Sequence, residues 1–269
     1  MRHWRLVALA AGAAAALAAI ALPPNAARAQ TGQTADVAVA LVADVSRSID
    51  DDEFQLQRKG YAAALTDPRF LAAIQSGVRG AVALSFSEWA GPDQQAVVAK
   101  WMVIRDGEAA ADFAKTLLDA PRSFAGRTAI GAGIDFGVAQ LAASGVTATR
   151  RVIDVSGDGT NNSGRPVTAA RDDAVAKGIA INGLAIINEK TGGIEGTFLY
   201  GHTHPPGGLP TYYRNNVIGG PGAFVLQVVN FDTFAEAMTN KLVTEVSQSA
   251  PRSAPQNAAR LPGKISPAE

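Results

Sequence analysis

Residues 36–48 read DVAVALVADVSRS, an apolar run that ends in one carboxylate and two hydroxyls at alternate positions. The part at 36–43 is nearly all apolar and rich in valine, which is typical of a strand that is buried on both faces. Asp44, Ser46 and Ser48 follow at its carboxyl end. Open α/β sheets place their binding sites at that end of their strands. The stretch therefore predicts a buried strand that leads directly into a polar site.

The remainder of the chain alternates predicted strands with predicted helices. Further strands are predicted at 81–86, 96–104, 151–155, 179–187 and 223–229. Helices are predicted at 50–65, 108–118, 128–143 and 166–177, and a last helix follows a Thr233-x-x-Glu236 capping box. This alternation indicates an α/β fold with a mostly parallel central sheet and helices on both of its faces. We expect residues 36–247 to form one such domain.

Two more polar groups are predicted at the same edge of the sheet. Asp158 stands in a Gly-Asp-Gly turn after the strand at 151–155, and Thr128 opens the helix at 128–143. With the first loop they supply two carboxylates and three hydroxyls, an all-oxygen set that suits a hard divalent cation. The sequence thus predicts a cation site, and its five candidate ligands are Asp44, Ser46, Ser48, Thr128 and Asp158.

This combination of motifs resembles the metal-ion-dependent adhesion site of von Willebrand factor type A (vWA) domains. Asp-x-Ser-x-Ser at 44–48, Thr128 and the Asp-Gly turn at Asp158 have the order and spacing of that family. The resemblance covers about residues 36–247 and implies a Rossmann-like sheet with one antiparallel edge strand, here 96–104. It implies Mg²⁺ as the cation, with Mn²⁺ or Ca²⁺ as alternatives. It further implies that an Asp or Glu carboxylate of a protein partner completes the coordination shell.

Three further segments are similar to a group of exported vWA-like proteins of proteobacteria whose function is not established. These segments are FSEW at 86–89, DVSGDG at 154–159 and VIGGPGAF at 217–224. The similarity supports the fold and the cation site but supplies no partner.

The first 29 residues have the three-part layout of a secretory signal peptide. Met1–Arg5 is basic, 6–22 is an apolar run of 17 residues, and Ala27-Arg28-Ala29 forms an Ala-x-Ala cleavage site. A retained membrane anchor is the alternative, although the run is at the short limit for a bilayer span. We expect cleavage and export to the periplasm or the exterior, with no membrane span in the mature protein.

The charge and composition exclude several classes of protein. The chain has 24 basic and 24 acidic residues, and three of the basic ones lie within 1–29, which leaves 21 basic against 24 acidic. A slightly acidic mature protein is not expected to bind nucleic acid, which requires a basic face. Because Cys is absent, disulfides, thiolate metal sites and thiol nucleophiles are excluded.

The segment 188–222 interrupts the alternation of strands and helices. It contains 9 of the chain's 27 glycines and 4 of its 14 prolines. Loops of this length in compact domains are commonly either functional or disordered. We expect a Gly-rich insertion loop beside the cation site that contributes specificity for a partner. Residues 248–269, rich in Pro, Ala and Ser, are expected to form a disordered tail.

Several other polar residues admit two interpretations. Asp154 either orients the site or forms a salt bridge with an arginine. Glu88 is either an acid that supports the site or contacts its ligand, or a solvated loop residue. Arg127 either attracts an acidic partner or balances the charge of the two candidate aspartates. Asn161 and Asn162 either donate hydrogen bonds to a ligand or form a turn.

The sequence offers little support for catalysis. His202 and His204 have a spacing compatible with a transition metal, but two histidines are too few ligands on their own. The chain contains neither a Gly-x-Ser-x-Gly elbow nor a Gly-x-x-x-x-Gly-Lys phosphate loop. We therefore predict a non-enzymatic protein-binding module that holds an acidic residue of its partner through the cation. The alternatives are a metal-dependent hydrolase that uses metal-bound water, and a structural domain whose metal only braces the loops.

Overall fold

The predicted central strand, β1 (Gln33–Asp44), lies inside a six-stranded sheet in the computed structural model, which describes residues 33–187, 197–229 and 233–248. The other strands are β2 (Val82–Trp89), β3 (Gln95–Ile104), β4 (Val146–Gly157), β5 (Ala180–Ile186) and β6 (Val225–Val228). Their order across the sheet is β3-β2-β1-β4-β5-β6. Neighbouring strands are parallel except β2 and β3. The predicted fold class and the antiparallel edge strand are therefore confirmed.

Eight α-helices lie within the described ranges. They are α1 (Asp51–Thr66), α2 (Pro68–Gln75), α3 (Gly107–Asp119), α4 (Ile130–Ala143), α5 (Val167–Ala176), α6 (Phe198–Thr203), α7 (Leu209–Tyr212) and α8 (Phe234–Ser247). A π-helical turn at Tyr213–Val217 follows α7 directly. No helix in the described ranges is both long and apolar enough to cross a bilayer.

Alternate side chains of β1 divide the core into two layers. Val39 and Leu41 pack with the apolar residues of α1, α2, α3 and α8 on one face of the sheet. Ala40 and Val42 pack with α4, α5, α7 and the π-helical turn on the other face. All four side chains are at most 1% exposed. Burial on both faces explains the nearly continuous apolar run of β1. The strand ends at Asp44, which therefore lies at the carboxyl edge of the sheet.

One helix was not predicted from the sequence, and one strand is longer than predicted. Helix α2 is missing from the sequence-based prediction, although it has clear start signals: the Asp67 side chain accepts from the N–H of Arg69, and Pro68 occupies the first turn. Strand β4 begins at Val146 rather than at 151, because its first half alternates between exposed and half-buried residues and lacks the apolar run of a buried strand.

The predicted capping box at the start of α8 is wrong. Thr233 occupies the N-cap position but makes no capping hydrogen bond with its side chain. Glu236 instead accepts two hydrogen bonds from Arg69, both at 2.8 Å. An ion pair with a guanidinium competes successfully for a carboxylate that the local pattern assigns to the helix terminus.

Parts of the predicted organisation lie outside the described residues. These are the signal peptide at 1–29, residues 188–196 of the Gly-rich segment and the tail from residue 249. Where the Gly-rich segment is described, it forms α6, α7 and the π-helical turn rather than a loop throughout. Gly207 and Gly208 lie between α6 and α7 and have positive φ angles of 79° and 81°.

Candidate metal centre

The loop that follows β1 is folded around the carboxylate of Asp44. Oδ1 of Asp44 accepts a hydrogen bond from the backbone N–H of Ser46 at 2.7 Å, as short acidic side chains do two residues ahead in the chain. The hydroxyl oxygens of Ser46 and Ser48 lie 3.1 Å apart. Asp44 and Ser46 are buried, whereas Ser48 is half-buried. The three predicted ligands of this loop therefore lie close together.

Arg122, between α3 and α4, holds this loop from outside. Its Nη2 atom donates to the backbone carbonyl oxygens of Val45, Ser46 and Ile49 at 2.9, 2.8 and 2.8 Å. Sequence analysis did not identify Arg122, because its acceptors are backbone atoms 73 to 77 residues away and leave no local pattern. The guanidinium fixes the path of the loop that carries three of the five candidate ligands.

Replacing Arg122 with glutamine should lower the affinity of the protein for Mg²⁺ roughly 10–100-fold, as loss of groups that orient ligands does in other metal sites. The shorter amide cannot donate to three carbonyl oxygens at once, so the loop loses its fixed path. Isothermal titration calorimetry measures the change, and thermal unfolding verifies that the variant is folded. Arg47→Gln is the control, because Arg47 is an exposed arginine of the same loop. Equal affinities for the two variants would contradict the assigned role.

Asp158 meets the first loop at the end of β4. Its Oδ1 atom accepts a hydrogen bond from the hydroxyl of Ser48 at 2.6 Å. Gly157, which precedes it, is required by close packing: a Cβ there would lie 2.9 Å from Oδ2 of Asp44 and 2.7 Å from the hydroxyl oxygen of Tyr213. The glycine lets the carboxylate of the first loop lie directly against the second loop.

Thr128 completes the cluster from the segment before α4. Its hydroxyl donates to that of Ser46 at 3.2 Å. Its backbone N–H donates to Oδ1 of Asn162 at 3.0 Å, and Oδ1 of Asn161 accepts from the N–H of Gly131 at 3.1 Å. Both asparagines thus bind the N-terminal end of α4, which explains them as structural residues.

Successive oxygens of the cluster are about as far apart as neighbouring ligands of an octahedral shell. From Asp158 through Ser48 and Ser46 to Thr128, successive donor atoms are 2.6, 3.1 and 3.2 Å apart. Mg²⁺ binds oxygens at about 2.0–2.1 Å in octahedral geometry, so neighbouring ligands lie about 3.0 Å from each other. The structure brings all five predicted side chains to one place, and the separations among Asp158, Ser48, Ser46 and Thr128 are ones that a small divalent cation accepts.

The charges of the cluster also fit a cation. Oδ2 of Asp44 and Oδ2 of Asp158 are buried without a hydrogen-bond partner. Burial, and then the neighbouring Asp158, raise the pKa of Asp44 well above its ordinary value, although Ser46 and Arg122 act in the opposite direction. Burial likewise raises the pKa of Asp158 to about 6. Buried anionic oxygens without partners are costly, and a bound divalent cation would compensate both.

The cluster differs from a site built on acids and histidines. Across the described ranges, no three His, Cys, Asp or Glu side chains come together as a metal-binding group. The candidate centre contains only two carboxylates and takes its other oxygens from hydroxyl groups. The two carboxylates balance the formal charge of a divalent cation, and the three hydroxyl groups add neutral oxygen donors to the shell.

The imidazole of His202, on α6, lies against the cluster. Its Nε2 atom is 3.1 Å from Oγ1 of Thr128, and its Nδ1 atom is 3.0 Å from Oγ1 of Thr160. The ring is 5% exposed and lies over Gly159, where any Cβ would overlap it. Burial, and then the charge of Arg127, lower the pKa of His202 to about 4. Sequence analysis singled out this histidine but had no means of placing it beside Thr128.

The neighbouring residues His204 and Arg127 make other contacts. Nδ1 of His204 is 2.9 Å from the hydroxyl of Thr203, and its ring stacks on that of Tyr200 with 4.5 Å between centroids. Arg127 is exposed and donates to the backbone oxygen of Asn162 at 3.0 Å. Of the two histidines, it is therefore His202 whose ring contacts a candidate ligand.

Asp154 and Glu88 form buried ion pairs. Nζ of Lys241 lies 2.8 Å from Oδ1 of Asp154, so the partner is a lysine rather than the expected arginine. Glu88 is fully buried and pairs with Arg58 at 2.5 Å, while its second oxygen accepts from the N–H of Ser123 at 2.8 Å. The interpretation of Glu88 as a solvated loop residue is wrong, and its oxygens contact these internal partners rather than a candidate ligand.

Comparison with known proteins gives one family match. The model of the family described as "Protein of unknown function (DUF1194)" matches residues 34–250. No curated protein matches the chain.

Several solved structures share the fold at low sequence identity. Proximal thread matrix protein 1 from the mussel byssus has a TM-score of 0.53 and 17% identity over 80% of this chain and 47% of its own. A second structure of that protein is described as having a zinc-occupied MIDAS motif. A von Willebrand factor type A protein from Catenulispora acidiphila has a TM-score of 0.52 and 14% identity over 80% and 43%.

The pilus adhesin SpaC from Lactobacillus rhamnosus GG has a TM-score of 0.54 and 15% identity over 80% of this chain and 30% of its own. The chain thus spans less than half the length of each of these three proteins. These similarities establish the vWA fold, as the sequence motifs predicted.

Proposed function

Because the chain belongs to the DUF1194 family and has the fold of a vWA domain, we propose that it is an exported, cation-dependent protein-binding module. One observation carries the proposal: five oxygen-bearing side chains form a cluster at one edge of the sheet, and two buried carboxylate oxygens in it lack a hydrogen-bond partner. The predicted signal peptide supports export to the periplasm or the exterior.

The mechanism is coordination rather than catalysis. Ser46, Ser48 and Thr128 would contribute neutral oxygens, and Asp44 and Asp158 would contribute charge. A divalent cation with neutral hydroxyl ligands and an open coordination position remains a Lewis acid towards an anionic oxygen, although the two aspartates balance its formal charge. An Asp or Glu carboxylate on a protein partner is such an anion and would complete the shell.

If only the oxygen donors are considered, Mg²⁺ is the expected cation, and Mn²⁺ or Ca²⁺ are the alternatives. The zinc-occupied MIDAS motif described for the mussel protein supports the proposal that a protein of this fold can hold a divalent cation.

A second role is favoured by the burial of the donors. Asp44, Ser46, Thr128 and Asp158 are each at most 2% exposed. A cation enclosed in this way would brace the three loops that meet at the edge, without contact with a partner. The two roles differ in one respect: only the first predicts that an acidic ligand binds when the cation is present.

Selection from a random peptide library displayed on phage tests the binding role. With the purified protein immobilised in Mg²⁺ and bound phage released by EDTA, we expect enriched peptides that share one Asp or Glu. Replacing that residue by Asn or Gln should abolish binding, because an amide does not supply the anionic oxygen that a cation prefers.

The Asp158→Ala variant is the control for this selection, and it should enrich no such peptides. If EDTA-released peptides lacked a shared acidic residue, or if Asp158→Ala enriched the same peptides, the proposed mode of binding would be wrong. Stabilisation by Mg²⁺ without any enrichment would favour the bracing role instead.

A further inference from the structure

Among the described side chains, one imidazole, that of His202, lies beside the cation cluster. His202 reaches it from α6, which is anchored to the loop after β4 by a hydrogen bond from the N–H of Thr160 to the carbonyl oxygen of His202 at 3.1 Å. The ring lies over Gly159, the residue that follows Asp158, and the glycine leaves the space that the ring occupies. The hydrogen bond to Thr160 thus fixes the backbone of His202, and the absence of a side chain at Gly159 leaves room for the imidazole beside the cluster.

The position of Nε2 continues the series of oxygen donors. It lies 3.1 Å from Oγ1 of Thr128, which lies 3.2 Å from Oγ of Ser46. These separations match the 3.1 Å between the hydroxyls of Ser46 and Ser48, and all are close to the edge of about 3.0 Å expected for an octahedron of ligands. The separation between Nε2 and the hydroxyl oxygen of Thr128 is therefore one that two ligands of the same cation can have.

The other ring nitrogen has the partner that a metal-binding histidine needs. Nδ1 is 3.0 Å from the hydroxyl oxygen of Thr160, which can accept its hydrogen. With the proton on Nδ1, the lone pair of Nε2 is available on the side of Thr128, and the amide nitrogen of Asn162 lies 3.4 Å from the same atom. Metal-binding histidines usually donate their second N–H to an oxygen in this manner, which fixes both the tautomer and the orientation of the ring.

From this geometry we infer that His202 is a nitrogen ligand of the proposed cation site, and that it shifts the preference of the site from Mg²⁺ towards Zn²⁺ and related cations. The inference rests on the proposed function, since it requires a cation at the same cluster. Imidazole suits Zn²⁺, Co²⁺ and Ni²⁺, whereas carboxylates, carbonyls and water suit Mg²⁺ and Ca²⁺. His202 would also occupy a coordination position from within the chain, so that a partner carboxylate has to displace it or use the position beside it.

Titration of Zn²⁺ and of Mg²⁺ into the purified protein, prepared without a polyhistidine tag, tests the inference. His202→Ala should weaken Zn²⁺ binding roughly 10–100-fold and leave Mg²⁺ binding nearly unchanged. His204→Ala is the matched control, because it removes a histidine two residues away that contacts Thr203 instead; both affinities should match those of the wild type. His202→Gln keeps most of the volume of the ring and should behave like His202→Ala.

Pulsed electron paramagnetic resonance of bound Mn²⁺ provides a second readout that packing alone does not change. A ¹⁴N coupling from imidazole is expected in the wild type and in His204→Ala, and it should be absent in His202→Ala. Zinc affinity of His202→Ala equal to that of His204→Ala, or a ¹⁴N signal that survives in His202→Ala, would overturn the inference while leaving Mg²⁺ binding and the proposed function intact. Absence of binding of either cation to the wild type would overturn both.

Discussion

Replacing Lys241 with methionine should lower the free energy of unfolding by about 3–5 kcal/mol, the cost of removing one partner from a buried ion pair. Lys241 is fully buried in α8, and its Nζ atom lies 2.8 Å from Oδ1 of Asp154 and 2.7 Å from Oε1 of Glu245. Burial, and then Glu245, already raise the pKa of Asp154 to about 7. Without the ammonium group, two buried carboxyl groups would face each other with no positive charge between them.

Urea unfolding at neutral pH measures this effect, and Lys115→Met is its control. Lys115 also pairs with an aspartate, Asp119, four residues along its helix, but the two side chains are 72% and 64% exposed. An exposed pair of this kind contributes less than about 1 kcal/mol. The triple variant Lys241→Met, Asp154→Asn, Glu245→Gln should recover part of the lost stability, because it also removes the unpaired charges. A loss below about 1 kcal/mol in Lys241→Met would show that the cluster does not hold α8 to β4.

The second large effect is expected at the candidate metal centre, where Asp158→Asn should stabilise the protein in EDTA. The raised pKa of Asp158 means that its ionised form is disfavoured in the folded state, chiefly by burial and also by the charge of Glu53. Removing that charge at pH 8, well above the pKa in either state, should add on the order of 2 kcal/mol to the free energy of unfolding. The amide oxygen can still accept the hydrogen bond from Ser48.

Asp112→Asn is the matched control for this variant, since Asp112 is an exposed acid in the middle of α3. A surface change of this kind should alter stability by no more than about 0.5 kcal/mol. A gain for Asp158→Asn in EDTA, together with loss of stabilisation by cations, is the pattern of a site that sacrifices stability for binding. If Asp158→Asn were less stable than the wild type in EDTA, the claim that the charge of Asp158 destabilises the metal-free protein would be wrong.

The sequence alone predicts the strands of the sheet and the edge at which the five candidate ligands lie, for one physical reason. Each ligand follows the carboxyl end of a buried strand or precedes a helix, so the periodicity that predicts the element also places the side chain. The apolar run at 36–43 identifies β1, and β1 delivers Asp44, Ser46 and Ser48 to the edge. Asp158 follows β4 in the same way.

The remaining features depend on contacts between distant residues. Arg122 binds backbone carbonyls of the first loop, and His202 reaches Thr128 across 74 residues. Lys241 pairs with Asp154 from a helix at the far end of the chain. None of these contacts produces a local pattern, because each depends on how the helices and loops pack after the sheet has formed. Only the spacing of the two histidines in GHTHPP marked His202 as a residue of interest.

Thermal unfolding of the protein in EDTA and in Mg²⁺, Mn²⁺ or Ca²⁺, with Asp44→Ala and Asp158→Ala alongside, tests the central claim most directly. A cation present at about 100 times its Kd should add about 2.7 kcal/mol, which corresponds to roughly 5–10 °C for a domain of this size. We expect this increase in the wild type and its absence in both variants. The same unfolding temperature in EDTA and in millimolar concentrations of each cation would contradict the assignment of a cation to Asp44, Ser46, Ser48, Thr128 and Asp158.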